Sequence, residues 1–360
     1  MGTFYSLKNI LAKNATYNMI IGERSNGKTY SVLKYGLEKY IKSGEQLALV
    51  RRFADDFIGK RGQVMFAALV DNGEVKKLTK GKYTDIFYQA SKWYLCRYED
   101  DKRICDNVPF AYGFAITAME HDKSTSYPKI TTIVFDEFIT RLGYVTDEFI
   151  LFTNIISTIV RQRDDVKIFM LGNTVNKYCP YFKEMGITHI TKMKQGAIDI
   201  YRYGDSRLTV AVEYTHPTAR GKKSDFYFAF DNPKLQMITG GAWELEIYPH
   251  IKERVKPNDI LFQFFVMFND EILHCEVIGK DSELFINVHP KNGDIKYKDT
   301  DLIYSTEYNP RANYKRKILK PTSAIEKKIA MLFVKEKVFY SDNETGEIMR
   351  NYLLWCNDKG

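Results

Sequence analysis

Short apolar runs alternate with amphipathic segments over the first half of the chain. The run at residues 17–21 leads into Gly22 and predicts a buried strand, and apolar residues then recur every four positions from Leu33 to Ile41, which predicts a helix ending at Gly44. Further strands are predicted at 46–50, 131–135 and 166–171, and a further helix at about 147–163. Strands separated by helices predict an α/β domain whose parallel sheet is flanked by helices.

The pattern changes after residue 205. Residues 217–224 and the pair Gly240-Gly241 have the composition of loops. Three apolar runs with turn residues between them then predict a meander of strands, and a helix is predicted near the end of the chain; these elements lie at 260–268, 272–278, 284–288 and 323–337. We therefore expect an α/β domain over 1–205, a linker or lid region over 206–255 and a smaller β-rich domain over 256–360.

Composition narrows the class of protein only a little. Apolar residues make up 44% of the 360 residues and charged residues 27%, as in ordinary globular proteins. The five cysteines lack any Cys-x-x-Cys spacing, which argues against a disulfide framework or a zinc ribbon and favours a reducing cytosol. The net charge of +8 favours a polyanionic partner such as nucleic acid without requiring one. The most apolar run, 149–160, is too short to cross a membrane.

The strongest chemical signal is the pattern G-x-x-x-x-G-K-[ST] between the first predicted strand and helix. It is the Walker A pattern of phosphate-binding loops, in which glycines let backbone N–H groups surround phosphate oxygens at a helix N-terminus. Lys28 is then predicted to reach the β- and γ-phosphates, and the Thr29 hydroxyl to bind Mg²⁺. The predicted nucleotide contacts in this segment are Gly22, Arg24, Ser25, Asn26, Gly27, Lys28, Thr29 and Tyr30.

An acidic pair follows the apolar strand predicted at 131–135. Asp136 and Glu137 complete a Walker B pattern, in which Asp136 holds Mg²⁺, partly through water, and Glu137 polarises the attacking water. Many strands end in carboxylates, so the pair is informative because a Walker A pattern precedes it. A catalytic glutamate, with no guanine-reading Asn-Lys-x-Asp motif, favours ATP over GTP.

Two further positions admit two interpretations each. Asn173 lies just past the strand predicted at 166–171, where its amide can detect the γ-phosphate or serve a turn. Arg161 and Arg163 lie at the C-terminal end of the helix predicted before that strand. An arginine there can stabilise a transferring phosphoryl group in a neighbouring subunit, or it can cap the helix C-terminus, where cations are favoured.

The order of these motifs resembles the DNA-packaging ATPases of small podophages with protein-primed genomes, which are relatives of the large terminases. The resemblance rests on the arginine inside the phosphate loop, on Arg51-Arg52 and on four further stretches: 44–46, 123–139, 160–163 and Asn173 with 180–182. It covers about the first 200 residues well and the remainder weakly. Relatives can carry a lysine two residues after the Arg-Arg pair, where this chain has Ala54, so no role for that lysine is transferred.

The resemblance implies specific roles and partners. Arg161 is the trans-acting finger, Arg24 lies near the phosphates, and Lys123 is either an interface residue or a solvated lysine. The family implies a homo-oligomeric ring, a pentamer, that acts in the host cytoplasm on the portal vertex of the prohead. Double-stranded viral DNA passes through its pore and is contacted through phosphates, with pore residues expected near 141–144.

The same resemblance implies an RNase H-like second domain. A nuclease of that type needs several carboxylates around two metals, but the strand predicted at 260–268 contains no acid. We therefore expect a vestigial nuclease fold without nuclease activity. The segment 311–317, together with Lys320, holds five basic residues, no acid and one tyrosine. It suits a structural packaging RNA, or it is an ordinary solvated loop.

The leading hypothesis is therefore an ATP-driven translocase of double-stranded DNA. A complete large terminase that also cleaves DNA is one alternative. A nucleotide-switched assembly protein is another, although such a switch needs neither a water-activating glutamate nor an arginine finger.

Overall fold

The computed structural model describes residues 5–121, 125–141, 143–216, 243, 248–251, 255–269, 271–280 and 283–357. The chain divides into two compact units, Met1–Glu244 and Leu245–Gly360. Lys123, the loop predicted at 217–224 and the Gly240-Gly241 break lie outside the described residues.

The first unit is built from a large sheet and short helices. Its strands are Tyr17–Gly22 (β1), Gln46–Arg51 (β2), Asp85–Gln89 (β3), Lys92–Glu99 (β4), Lys102–Cys105 (β5), Ala111–Ala115 (β6), Ile130–Asp136 (β7), Lys167–Asn173 (β8), Ile198–Arg202 (β9) and Thr209–Tyr214 (β10). Its α-helices are Lys8–Leu11 (α1), Lys28–Ser43 (α2), Lys60–Val64 (α3), Ala67–Asp71 (α4), Glu74–Leu78 (α5), Glu148–Val160 (α6) and Pro180–Glu184 (α7). The α/β class predicted for this part of the chain is confirmed.

The sheet places four functional strand ends side by side. Within the described residues its order is β3-β4-β6-β2-β7-β8-β1-β10-β9, with β5 paired to β4. The six strands from β6 to β10 in this order are mutually parallel. The carboxyl ends of parallel strands lie at one edge of the sheet. The last residues of four adjacent strands therefore lie close together at that edge, those of β2, β7, β8 and β1.

Burial and backbone geometry explain why the central elements form. All seven residues of β7 are buried, which is why its sequence does not alternate and holds the apolar run Ile133-Val134-Phe135. Helix α2 begins after Gly27, at a φ of 90°, and ends at Gly44, at a φ of 73°. Both are left-handed conformations that favour glycine, and the predicted end of this helix at Gly44 is confirmed.

The sheet continues past residue 205, where the sequence suggested that a linker begins. Strand β10 pairs in parallel with β1, and β9 pairs with β10 in the antiparallel sense. Residues 209–214 are therefore a strand of the sheet and not linker. The strand is short and comes after a polar turn, so its place beside β1 depends on long-range pairing that the local pattern does not encode. The finer division of the chain into functional domains stays a prediction.

The second unit contains a smaller mixed sheet. Its strands are Ile260–Phe268 (β11), Glu271–Lys280 (β12), Glu283–Pro290 (β13), Leu302–Ser305 (β14), Tyr314–Lys315 (β15) and Val338–Tyr340 (β16), and its α-helices are Ala324–Val334 (α8) and Asn343–Asn357 (α9). Within the described residues the order is β15-β14-β11-β12-β13-β16. The antiparallel meander β11-β12-β13 is confirmed, and β14 and β15 extend it in parallel beside β11. This arrangement agrees with the predicted RNase H-like fold.

The helices of the second unit were predicted incompletely. Helix α8 begins after Ser323, whose hydroxyl accepts a hydrogen bond from the Glu326 N–H, and this cap fixes the start predicted there. Helix α9 was not predicted, because several of its buried residues are polar and its sequence therefore lacks a continuous apolar face. Glu347 and Asn351 are two of these residues. No α-helix within the described ranges is long and apolar enough to cross a bilayer.

Candidate functional site

The phosphate loop connects β1 to α2 and is held against β10. The Asn26 amide oxygen accepts from the Lys28 N–H at 3.2 Å, and its Nδ2 donates to Thr215 Oγ1 at 3.2 Å. A Cβ added to Gly22 would lie 1.9 Å from Thr215 Oγ1, so this position has room only for glycine. The first predicted glycine is therefore required by packing, while Gly27 is required by backbone conformation.

Lys28 is buried in the loop and contacts the tip of β8. Its Nζ donates to the carbonyl oxygens of Glu23 at 2.7 Å and Gly22 at 3.3 Å. It also donates to Asn173 Oδ1 at 3.3 Å. Burial lowers the Lys28 pKa to about 8, and the nearby Asp136 and Glu23 charges oppose that shift. A buried ammonium with carbonyl partners is a group that an incoming phosphate would bind strongly.

The two predicted metal ligands lie together at the end of β7. The Thr29 hydroxyl donates to Asp136 Oδ1 at 3.0 Å. Burial raises the pKa of Asp136, and the opposing charge of Arg51 limits the rise. A hydroxyl and a carboxylate are the hard oxygen donors that Mg²⁺ prefers, so the donor set fits that ion.

Arg51, at the end of β2, joins the two Walker B acids. Its Nη2 lies 3.0 Å from Asp136 Oδ2, and its Nη1 lies 2.7 Å from Glu137 Oε2. Sequence reasoning identified Arg51 only as part of a resemblance. The end position of a strand was a usable signal, but the β2–β7 pairing that brings the three residues together was not predicted.

Arg52 holds the backbone segment that follows β7. Its guanidinium makes two contacts with the buried Glu148 carboxylate, Nε–Oε2 at 2.7 Å and Nη2–Oε1 at 2.8 Å. It also donates to the carbonyl oxygens of Glu137 and Phe138. Glu137 has a φ of 61°, an uncommon value for a side-chain-bearing residue. Arg52 thus holds the backbone that sets the position of Glu137, and sequence reasoning missed both this role and Glu148.

The predicted nucleotide contacts converge on one cavity. Its volume is about 330 Å³. Its lining residues are Arg24, Ser25, Asn26, Gly27, Lys28, Thr29, Tyr30, Asp136, Glu137, Leu171, Gly172 and Asn173. Among the predicted contacts, Gly22 lies just beneath the loop, and the Tyr30 hydroxyl donates to Glu74 at 3.1 Å.

Arg161 and Arg163 occupy different environments. Arg163 donates to the carbonyl oxygens of Pro128, Ile130 and Ile159, so it fixes the end of α6 against the turn before β7. Arg161 is exposed, has a φ of 51°, and donates to the Thr125 carbonyl oxygen at 3.1 Å. Arg161 is not among the described residues that line the cavity.

The residues expected near a pore have contacts inside the first unit. Arg141 donates to the Val175 carbonyl oxygen at 2.9 Å. The Tyr144 ring lies 5.3 Å from the Arg52 guanidinium and packs edge-on against Tyr181. A DNA-contacting role for this segment stays a prediction.

The basic segment of the second unit is partly engaged in local contacts. Arg311 pairs with Asp299 at 2.8 Å, and Arg316 donates to the Thr306 carbonyl oxygen. The side chains of Arg316 and Lys317 both lie over the Trp355 ring. Two cations of this segment thus lie over an indole of α9, and the RNA contact stays a prediction.

The chain is similar to known proteins over its first unit. A family described as Podovirus DNA encapsidation protein (Gp16) matches residues 1–201. The DNA packaging protein of Bacillus phage B103 is 28% identical over 181 residues, 49% of this chain and 50% of that protein. The DNA packaging protein of Bacillus phage phi29 is 27% identical over 182 residues, 50% of this chain and 49% of that protein. The match thus spans about half the length of these curated relatives.

Two solved structures share the fold over nearly the whole chain. The Phi-28 gp11 DNA packaging motor has a TM-score of 0.55 at 19% identity and covers 100% of both chains. The bacteriophage Phi-29 viral genome packaging motor assembly has a TM-score of 0.53 at 19% identity and covers 97% of this chain and 96% of that one. Because the family match covers more than half of the chain and every residue lining the cavity, this chain belongs to the Podovirus DNA encapsidation protein (Gp16) family.

Proposed function

We propose that this protein is the ATP-hydrolysing subunit of a ring motor that moves double-stranded viral DNA into the prohead. One observation carries the ATPase part of the proposal. The ends of β1, β7 and β8 bring Lys28, Thr29, Asp136 and Asn173 into contact around one cavity, with Glu137 at its rim. Membership in a family of DNA encapsidation proteins supports the translocation part.

Different residues of the cavity bind the phosphates of ATP and the Mg²⁺ ion. Lys28 and the loop N–H groups bind the β- and γ-phosphates, and Arg24 lies beside them. Thr29 and Asp136 hold Mg²⁺, partly through water, and the ion, when bound, neutralises phosphate charge. The Lys28 Nζ exchanges its carbonyl partners for phosphate oxygens, which are stronger acceptors.

Glu137 and Asn173 carry the step that follows binding. The Glu137 side chain is 65% exposed, so a water molecule can reach it from the cavity. Its carboxylate orients that water for attack on the γ-phosphorus, the bond to the β–γ bridging oxygen breaks, and the carboxylate receives the proton. Asn173 contacts Lys28 and registers loss of the γ-phosphate through that contact.

Arg161 acts on a neighbouring subunit in this proposal. It is exposed at the end of α6 and lies outside its own cavity lining, so a role in hydrolysis requires the site of another copy. A homo-oligomeric ring, which we propose to be a pentamer on the portal vertex in the host cytoplasm, supplies that geometry. An arginine finger is worth roughly 10³–10⁵ in rate where it has been measured.

The partners of the ring follow from charge and from the second unit. A protein with a net charge of +8 can hold DNA through its phosphates, independently of base sequence. Strand β11 carries no acid, which supports a nuclease-like unit that does not cleave DNA. The segment 311–317, with Lys320, supplies a contact for a structural packaging RNA.

The decisive experiment measures steady-state ATP hydrolysis with linear double-stranded DNA, single-stranded DNA or structured RNA. We expect double-stranded DNA to stimulate ATP hydrolysis by the wild type, and Glu137→Gln to bind ATP without hydrolysing it. When a small amount of Glu137→Gln is mixed into the wild type, it should stop hydrolysis in many wild-type subunits. Arg161→Ala should behave like Glu137→Gln alone, yet regain activity when mixed with Lys28→Ala, since each then supplies what the other lacks. Arg163→Lys is the matched control outside the cavity.

Two results would replace this proposal. In the first, the rate of ATP hydrolysis is the same with and without nucleic acid, and falls only in proportion to the fraction of Glu137→Gln subunits. That result would favour a nucleotide-switched assembly protein. Mg²⁺- or Mn²⁺-dependent cleavage of plasmid DNA by the full chain would favour a complete terminase.

A further inference from the structure

The second unit carries a cluster of three partly exposed polar residues on one face of its sheet. His274 and Glu276 lie on β12 and His289 on β13, with His274 directly opposite His289 in the strand register. One nitrogen of each imidazole and one oxygen of the carboxylate all lie within 4.8 Å of one another. Side chains two apart on a strand share a face, so the strand geometry holds all three on one side of the sheet.

We propose that His274, Glu276 and His289 form a binding site for a divalent first-row transition metal ion such as Zn²⁺. Two imidazoles and one carboxylate are the ligand types that such ions prefer, whereas Mg²⁺ prefers oxygen donors alone. The site is therefore chemically distinct from the Thr29 and Asp136 pair. It also does not depend on the proposed motor function.

The spacing of the ligand atoms is close to what coordination requires. Bonds of about 2.0–2.1 Å in a tetrahedron place ligand atoms roughly 3.3 Å apart. His289 Nε2 already lies 3.6 Å from Glu276 Oε2, and the two imidazole ring centroids are 4.7 Å apart. Small side-chain rotations therefore close the site without movement of the strands.

Neighbouring residues orient two of the three ligands. Asn287 Nδ2 donates to Glu276 Oε2 at 3.1 Å, and Gln263 Oε1 lies 3.1 Å from His274 Nε2. The His274 ring also stacks on Phe265 at 4.8 Å. Such outer contacts fix the orientation of metal ligands and raise their affinity for the ion.

The cluster is partly accessible to solvent. The His289 side chain is 33% exposed and that of Glu276 14% exposed. An ion can therefore enter, and three protein ligands leave a coordination position for water, as in open rather than closed zinc sites.

The test titrates the chelator-treated full chain with Zn²⁺ and, separately, with Co²⁺, in the absence of nucleotide. We expect one Zn²⁺ per chain and an increase in melting temperature, since an ion that binds only the folded state stabilises it. The Co²⁺ spectrum should lack a sulfur-to-metal charge-transfer band, which separates this site from the five free cysteines.

Glu276→Gln and His289→Ala should each abolish stoichiometric binding and the shift in melting temperature. His189→Ala is the matched control, because the His189 Nδ1 lies 2.7 Å from the Asp199 carboxylate and this pair has no third possible ligand among the described residues. It should bind Zn²⁺ like the wild type. Melting of the metal-free Glu276→Gln chain, which keeps the size of the side chain, verifies folding. The proposal is wrong if wild type binds no Zn²⁺, if both variants bind as wild type does, or if the Co²⁺ complex shows thiolate coordination.

Discussion

The Arg51 guanidinium and the Glu137 carboxylate are joined by a contact of 2.7 Å, Nη1 to Oε2, across the ends of two neighbouring strands. The same guanidinium also contacts Asp136. In the proposed reaction both acids have other tasks, one with Mg²⁺ and one with water. In that reaction Arg51 would compete with Mg²⁺ for the Asp136 carboxylate.

Replacing Arg51 by Gln should make the site bind Mg²⁺ more tightly. Two carboxylates without a cation between them attract a divalent ion more strongly. A partly screened contact of this kind is worth about 1 kcal/mol, or about fivefold in affinity. The Mg²⁺ concentration for half-maximal ATP hydrolysis should fall by that factor. Arg207→Gln, in the turn before β10 at the opposite edge of the sheet, should leave it unchanged. An unchanged or higher requirement in Arg51→Gln would show that Arg51 does not compete with the ion.

Breaking the Arg52–Glu148 pair should strongly destabilise the first unit. Both residues are buried, and removal of one partner leaves an uncompensated charge. Arg52→Ala or Glu148→Ala should lower the free energy of unfolding by roughly 3–5 kcal/mol. Arg97→Ala, which breaks an exposed pair with Glu99, should cost under about 1 kcal/mol. Urea unfolding of the three variants compares them, and similar losses for all three would contradict this ranking.

Gly22→Ala should be rescued in part by a change at Thr215, which directly follows β10. The added methyl group collides with Thr215 Oγ1, so the loop or the end of β10 must move. We expect a loss of roughly 1–3 kcal/mol in stability and a loss of nucleotide affinity. Thr215→Ala removes the clashing oxygen, and alone should cost only about 1 kcal/mol for the lost Asn26 hydrogen bond. Fluorescent-nucleotide titration and urea unfolding measure both effects. A double variant no better than Gly22→Ala would mean that the clash lies elsewhere.

Acid should weaken the first unit partly through Glu45. Burial tends to raise the pKa of Glu45, but hydrogen bonds from Lys39, Thr131 and Ser43 outweigh it and lower the pKa to about 2. A carboxyl with a depressed folded-state pKa stabilises fully above its ordinary value of 4.5 and loses this contribution as the pH falls from 4.5 toward 2.

Glu45→Gln should therefore be less stable than wild type at pH 7, and the difference should shrink between pH 5 and pH 3. Urea midpoints across that range measure it. Thr131→Val, which removes one of the three hydrogen bonds, should give an intermediate result. A difference that is constant with pH would refute the role of Glu45.

The sequence was informative where local chemistry fixes the structure. The phosphate loop depends on residues close together in the chain, and β7 is buried on both faces, so its apolar run is unmistakable. The contact of Arg51 with Glu137 was not predictable, because it depends on the order of strands in the sheet. The same applies to Glu148, which contacts Arg52 from 96 residues away. Helix α9 was missed because polar side chains occupy its buried face.

Helix α6 joins two sites that act in different subunits of the proposed ring. It starts at Glu148, which holds Arg52 and through it the Glu137 backbone, and it stops one residue before Arg161. Its 13 residues span about 20 Å as one stiff rod. A change beside the catalytic glutamate would therefore reach the finger as a displacement of the whole helix, without any intervening loop to absorb it. In the proposed ring, the end of ATP hydrolysis in one subunit would thereby determine when the next subunit hydrolyses its ATP.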